Sequence, residues 1–130
     1  MNKLVMIVED SLTVRKIIET SLKREGIEYV SYVDGFDALS AITELRLRRI
    51  PDLIILDIGL PRMDGYEFAR RLKTKPQFNN TVIVMLTSRD GVIDRLKGRL
   101  AGAKEYMTKP FRTQDVMSVL HTYLGVSTYT

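Results

Sequence analysis

Cysteine is absent from the chain, which rules out a disulfide framework and any thiolate-bound metal, and fits a reducing compartment such as the cytoplasm. Long apolar runs are absent too. The opening MNKLVMIVED contains a hydrophobic stretch that two acids, Glu9 and Asp10, cut well short of a signal-peptide core or a membrane span. Internal repeats, low-complexity tracts and Ser/Gly linkers are also missing, so 130 residues at 45% hydrophobic have the size of one compact domain with its own core. Histidine occurs once, at His121, on the polar side of the last amphipathic segment and with no carboxylate beside it to tune it, which reads as a surface residue. Formal charge is 20 − 16 = +4, but the basic residues are scattered and no aromatics interleave with them as a stacking platform for bases would need. Nucleic acid is therefore not an expected partner.

What the chain does contain is a rhythm of short apolar runs alternating with amphipathic segments, five times over. LVMIV at Leu4 to Val8 is continuous and apolar, as a central parallel strand covered on both faces should be. Helix one then starts at Ser11 or Leu12, carries Val14, Ile17, Ile18 and Leu22 on one stripe, and stops at Gly26. YVSYV at Tyr29 to Val33 is less apolar and reads as an edge strand. Helix two holds Ala38, Leu39, Ile42 and Leu45, and Pro51 resets the chain before LIIL at Leu53 to Leu56. Helix three runs from about Gly65 to Lys73 with Phe68, Ala69 and Leu72 inward and Asp64 as its cap. Pro76, Asn79 and Asn80 turn the chain into VIVML at Val82 to Leu86. Helix four holds Val92, Ile93, Leu96 and Leu100, and a short fifth strand follows around Glu105 to Met107. The last helix repeats Val116, Val119, Leu120, Tyr123 and Leu124 between Thr113 or Gln114 and Gly125. The domain is thus expected over residues 1–125, with 126–130 as a short tail.

Strands separated by helices require right-handed crossovers and give an open parallel sheet with helices on both faces, whose ligand lies beyond the carboxyl ends of the strands. Those ends are chemically distinctive. Glu9 and Asp10 follow strand one, Asp57 ends strand three inside LIILDIGLPRMDG, Thr87 follows strand four, and Lys109 follows strand five. A buried strand should not finish on a carboxylate without a reason. Three converging carboxylates repel unless a cation holds them, and oxygen donors without sulfur or imidazole suit a hard ion, Mg²⁺ or Mn²⁺ in its place. Such a cation and Lys109 bring the formal charge of the cluster to about zero, leaving it able to accept one phosphoryl group. A carboxylate can itself be the nucleophile in phosphoryl transfer, and Asp57, rigidly held, is the candidate.

The acid pair in VMIVEDS, together with LIILDIGLPRMDG, VIVMLTSRD and YMTKPF, resembles in order and spacing the four signatures of the bacterial response-regulator receiver domain. SRDGVIDRLKGRLAGAKEYMTKPF further resembles the stand-alone receivers of chemotaxis and twitching-motility systems. The resemblance implies a flavodoxin-like (βα)5 fold with strand order 2-1-3-4-5. It implies that Asp57 accepts phosphate from the phosphohistidine of a histidine kinase or histidine phosphotransfer protein, and that Glu9, Asp10, Asp57 and the backbone carbonyl of Gly59 surround Mg²⁺. Thr87 would bond one phosphoryl oxygen and Lys109 another, small Ser88 would leave room for the incoming group, and Tyr106 would be the aromatic that swings inward when the threonine moves. Lys109–Pro110 matches a peptide bond usually found cis. The output would be a population shift of the face made by helix four, strand five and helix five, near Leu96, Lys97, Lys104, Tyr106, Gln114 and Ser118, toward a downstream effector or, as a transient homodimer, a second receiver. Gly59 departs from the many receivers that carry a larger side chain there, and a short phosphate lifetime is expected from it.

Duller readings stand beside these. Glu9 and Asp10 alone could complement the start of helix one, Thr87 could be a turn residue, and Tyr106 could be core. A haloacid-dehalogenase-type phosphatase would use the same nucleophile but needs a second aspartate two residues on, where this chain has Gly59. A flavin or nucleotide module needs a cradle of backbone amides after strand one, and EDSLT would repel a free phosphate. A phosphorylation-independent pseudo-receiver and a receiver belonging to a longer regulator complete the alternatives. A signalling switch and not a turnover enzyme is the expectation.

Overall fold

The computed structural model describes residues 3–44, 47, 49–60, 62–88 and 92–125; the expectations placed on Leu45, Pro61, the side chain of Val92 and the tail at 126–130 lie outside the described residues. Strands and helices alternate as β1 (Leu4–Val8), α1 (Leu12–Arg24), β2 (Glu28–Tyr32), α2 (Gly35–Thr43), β3 (Leu53–Asp57), α3 (Gly65–Lys73), β4 (Val82–Thr87), α4 (Val92–Leu100), β5 (Ala103–Thr108) and α5 (Thr113–Leu124). The five strands form one sheet in the order β2-β1-β3-β4-β5, every pair parallel. This is the flavodoxin-like doubly wound arrangement. β2 and β5 are the edges, and β1 and β3, apolar but for Asp57 at the end of β3, are central and buried along their whole length.

The period-two alternation of strand side chains divides the interior into two layers. Met6, Val8, Ile54, Leu56, Ile83 and Met85 point to one side and meet Ala38 and Ile42 of α2 and Phe68, Ala69 and Leu72 of α3. Val5, Ile7, Leu53, Ile55, Val84 and Leu86 point to the other and meet Ile18 and Leu22 of α1 and Val116 and Leu120 of α5. Helix starts are fixed by short acceptors: Ser11 Oγ accepts from Val14 N–H, Asp34 Oδ1 from Asp37 N–H and Asp64 Oδ1 from Glu67 N–H. Gly125 closes α5 at φ 67°, the left-handed turn that glycine adopts without penalty.

Five details differ from the sequence expectation. β2 starts and ends one residue earlier than Tyr29 to Val33, β5 is longer than Glu105 to Met107, and β3 and β4 each include the polar residue at their end, Asp57 and Thr87. Phe78 sits in a single 3-10 turn at Pro76–Phe78 and is fully buried, so the turn into β4 is also a core plug. Finally, the apolar residues of α4 do not form an inward stripe. Ile93, Leu96 and Leu100 are 70%, 51% and 77% exposed, because α4 packs on the edge strand β5 through Gly98 and has little sheet beneath it.

Candidate functional site

The carboxyl ends of β1, β3, β4 and β5 all open on one rim, and register decides which side chains reach it. Val8 pairs with Leu56, so the residues just beyond, Glu9 and Asp57, emerge side by side. Asp57 in turn pairs with Leu86, and Thr87 with Thr108, which brings Lys109 to the same place from the edge. Backbone bonds past the strand ends hold this register: Glu9 N–H donates to Tyr32 O (3.0 Å), Ile58 N–H to Leu86 O (3.1 Å) and Lys109 N–H to Thr87 O (2.7 Å). The Lys109–Pro110 peptide is cis, as the resemblance implied.

Glu9, Asp10 and Asp57 each bring a carboxylate oxygen within 4.8 Å of the others. Glu9 is completely buried, Asp57 is nearly so and Asp10 is exposed, so the cluster is a pocket with one open side. Lys109 Nζ lies 3.0 Å from Glu9 Oε1 and 3.3 Å from Asp57 Oδ2. The contact with Glu9 Oε1 is an ion pair without the alignment of a directed hydrogen bond, while Glu9 Oε2 accepts squarely from Ser11 N–H at 3.0 Å. Asp57 Oδ1 accepts from Gly59 N–H at 3.0 Å. Both Asp57 oxygens therefore have a fixed donor or cation on them.

Electrostatics follow from that crowding. Burial, with the Asp57 charge adding to it, pushes the Glu9 carboxyl up to about 7 despite the Ser11 amide and the Lys109 ammonium beside it. Burial would pull Lys109 down, but the facing carboxylates outweigh it and hold its ammonium above the ordinary value. One lysine does not neutralise three acids. The pocket carries a surplus of negative charge and only oxygen donors, the chemistry that fits a hard divalent cation such as Mg²⁺.

Of the remaining predicted residues, Thr87, Ser88 and Gly59 lie at the same strand-end rim and Tyr106 does not. Thr87 is 2% exposed at the end of β4, Ser88 beside it is exposed, and Gly59 is exposed next to Asp57, with only Asp57 Oδ1, at 3.7 Å, near where a side chain would begin. Tyr106 lies away from the pocket. Its ring rests on Gly98 of α4, its hydroxyl donates to Asp94 O (2.5 Å), and the Tyr66 hydroxyl of α3 is 2.6 Å away. Arg95 lies 5.8 Å from the ring centroid. The aromatic is thus held between α3, α4 and β5. Tyr66, buried at the start of α3, was not foreseen from sequence; an aromatic hydroxyl among the inward residues of an amphipathic helix was the available signal. Asp34 and Arg62 were not foreseen either: they form an ion pair that joins the β3–α3 loop to the start of α2. Asp64 caps α3 and stays out of the pocket, and His121 is on the surface, both as expected.

An open parallel sheet carrying a buried, lysine-paired acid pocket at the carboxyl ends of its strands defines the class: a doubly wound domain with a candidate cation site at its strand ends. Comparison with known proteins makes this specific. The response regulator receiver domain family matches residues 5–121, and the chain belongs to that family. It is 38% identical to Protein PilG of Pseudomonas aeruginosa over 120 residues, 92% of this chain and 86% of that one. Among solved structures it is similar to the chemotaxis response regulator CheY4 of Vibrio cholerae, with 28% identity, a TM-score of 0.86 and coverage of 95% of this chain and 99% of that one. It is also similar to the receiver domain of the sensor histidine kinase PA1611 of P. aeruginosa, which has a magnesium ion coordinated in its active site cleft; identity is 26%, the TM-score 0.82 and coverage 96% and 99%. The chain is therefore a two-component receiver of the chemotaxis and PilG type. Among the described residues no helix is long and apolar enough to cross a membrane.

Proposed function

We propose that the chain is a cytoplasmic phosphorylation switch in which Asp57 takes a phosphoryl group from the phosphohistidine of a kinase or phosphotransfer protein. In that step an Asp57 oxygen attacks phosphorus, the new O–P bond forms as the P–N bond to histidine breaks, and the imidazole nitrogen leaves with the electron pair and takes up a proton. The observation that carries this reading is the placement of Asp57 within 4.8 Å of Glu9 and Asp10 with Lys109 Nζ 3.3 Å away. Glu9, Asp10, Asp57 and the carbonyl of Gly59 would hold Mg²⁺, which supplies charge neutralisation for the transferring group. Lys109, already aimed at Asp57, moves its charge onto the acquired phosphoryl oxygens. Thr87 contributes a hydroxyl from the end of β4, and exposed Ser88 leaves the approach open. The receiver unit runs to Gly125.

The output is read at α4, β5 and α5, where Leu96, Lys97, Lys104, Gln114 and Ser118 are all exposed. Any rearrangement of β4 that reaches Tyr106 must break its bonds to Asp94 and Tyr66, so the tyrosine couples the pocket to that face and to a downstream protein. The chain acts as a switch, with no turnover of a small substrate.

Intact mass after incubation with acetyl phosphate tests the chemistry. Wild type should gain one phosphoryl group only with Mg²⁺, and Asp57→Asn should gain none; a Mg²⁺-dependent gain retained in the variant would remove Asp57 as acceptor. Gly59 sets the lifetime. A side chain there would begin 3.7 Å from Asp57 Oδ1 and shield the acyl phosphate, so Gly59→Asn should slow dephosphorylation about threefold, a barrier change of roughly 0.7 kcal/mol. Decay of the phosphorylated mass with time checks this, and equal half-lives would show that water reaches the phosphate by another side.

A further inference from the structure

Arg62 stands in the β3–α3 loop with φ 68°, a left-handed conformation that glycine adopts freely and arginine does not. Its side chain has partners that account for its presence. The guanidinium bonds Asp34 Oδ2 and lies 4.9 Å from the centroid of the Phe36 ring, bridging from the loop to the start of α2. Asp34 is 5% exposed, and its other oxygen caps α2 by accepting from Asp37 N–H at 2.8 Å. Burial would raise the Asp34 carboxyl, but Arg62 and the capping amides outweigh it and hold it below the usual carboxylate range. The acid is therefore charged, fixed and placed to anchor the arginine.

The position of this pair relative to the acid pocket gives it a role. Glu9 N–H donates to Tyr32 O at 3.0 Å, and Asp34 is two residues beyond Tyr32. Arg62 is three residues beyond Gly59, whose N–H donates to Asp57 Oδ1 at 3.0 Å. A closed circuit thus runs from Glu9 through the end of β2 to Asp34, across the ion pair to Arg62, and back along the loop to Gly59 and Asp57. Among the described contacts the loop is otherwise pinned from beneath, by buried Ile58, Leu60 and Met63, by Ile58 N–H donating to Leu86 O at 3.1 Å and by Gly65 N–H donating to Ile58 O at 3.1 Å. Nothing else among the described contacts joins its outer edge to the β1 side of the pocket. Resting on the metal-assisted phosphoryl transfer proposed above, we infer that the Arg62–Asp34 pair is a positioning clasp that holds the Gly59 carbonyl in register with Glu9, Asp10 and Asp57 and thereby sets the affinity of the pocket for Mg²⁺.

The side chain of Arg62 is 60% exposed, so the clasp adds little to global stability and its effect is local. That separates it from a structural role. Arg62→Gly removes the side chain while suiting the backbone, and Asp34→Ser keeps a good helix cap while losing the reach to Arg62. Titration of the whole chain with MgCl₂ by calorimetry should give a Kd raised about fivefold in each single variant, less than the loss of a direct hydrogen-bonding partner to a ligand would cause. The double variant should be no worse than either single, and Arg62→Lys should recover part of the loss. Melting temperatures without Mg²⁺ should stay close to wild type in Arg62→Gly. Wild-type affinity in both single variants, or losses that multiply in the double, would overturn the clasp while leaving the phosphoacceptor reading intact. A wild-type chain that binds no Mg²⁺ would overturn both.

Discussion

Alanine in place of Gly65 should destabilise the fold by about 3 kcal/mol and lower its melting temperature by roughly 10 °C, even though the substitution improves helix propensity. Gly65 is the first residue of α3, and a Cβ there would fall 2.7 Å from the carbonyl oxygen of Asp57 and 2.7 Å from the Cα of Ile58. Both neighbours are backbone. Neither can rotate away, because Asp57 ends a strand hydrogen-bonded between β1 and β4, and Ile58 N–H is tied to Leu86 O at 3.1 Å. Relief has to come from moving α3 outward, which opens the layer where Phe68 and Leu72 are fully buried. The gain of about 1 kcal/mol in propensity is a helix-interior figure and is smaller at a first-turn position. Thermal and urea denaturation of the two proteins give the result directly. Gly59→Ala serves as control, since its Cβ would meet only Asp57 Oδ1 at an ordinary 3.7 Å and should leave the midpoint near wild type. Equal midpoints for Gly65→Ala and wild type would mean that α3 yields without cost.

That close approach is also a measure of what the sequence discloses. Apolar runs of four or five residues announced β1, β3 and β4, because a central parallel strand is covered on both faces and has no polar positions to spare. Asp57 was legible for the same reason: it breaks a run that burial should have kept apolar. The edge position of β2 was legible from Ser31 and the tyrosines in it. Periodicity served less well for α4. It marks Ile93, Leu96 and Leu100 as apolar but cannot say that the helix lies on an edge strand, where such residues stay exposed. Phe78 was missed because a three-residue turn has no period to detect. The contacts that give the site its surroundings are long-range: Tyr66 meets Tyr106 across 40 residues and Arg62 meets Asp34 across 28, and neither pairing leaves a local trace. Lys109 and Thr87 were placed by the topological rule that strand ends face one rim, and their roles came from resemblance. Gly65 read as a helix start, with nothing in the local string to show that a backbone carbonyl fills the space of its missing side chain.

Lys109→Ala should lower the stability of the Mg²⁺-free protein by about 2 kcal/mol, and Mg²⁺ should recover much of that loss. Lys109 is the cation facing two carboxylates, 3.0 Å from Glu9 and 3.3 Å from Asp57, and the Glu9 side chain is completely buried. Breaking a buried pair by removing one partner usually costs more, about 3–5 kcal/mol, because a charge is stranded away from water. Two features reduce it here. The lysine side chain is 23% exposed, so part of the pair is already screened, and Glu9, pushed up to about 7 by burial and by Asp57, can take a proton and shed its charge. A divalent ion bound among Glu9, Asp10 and Asp57 would offset the same carboxylates, and the more negative pocket of the variant should bind it more tightly. At 100 times its Kd a ligand stabilises by about 2.7 kcal/mol, and the tighter site gains more at a given concentration. Urea unfolding of wild type and variant, each with EDTA and with saturating MgCl₂, should therefore show a deficit that narrows in the metal. Lys109→Met separates charge from packing: it refills the space of the aliphatic stem, so a deficit of similar size would assign the loss to the ammonium. A deficit of equal size with and without Mg²⁺ would mean that the lysine and the metal do not share these carboxylates, and would count against the charge balance on which the proposed phosphoryl acceptance by Asp57 rests.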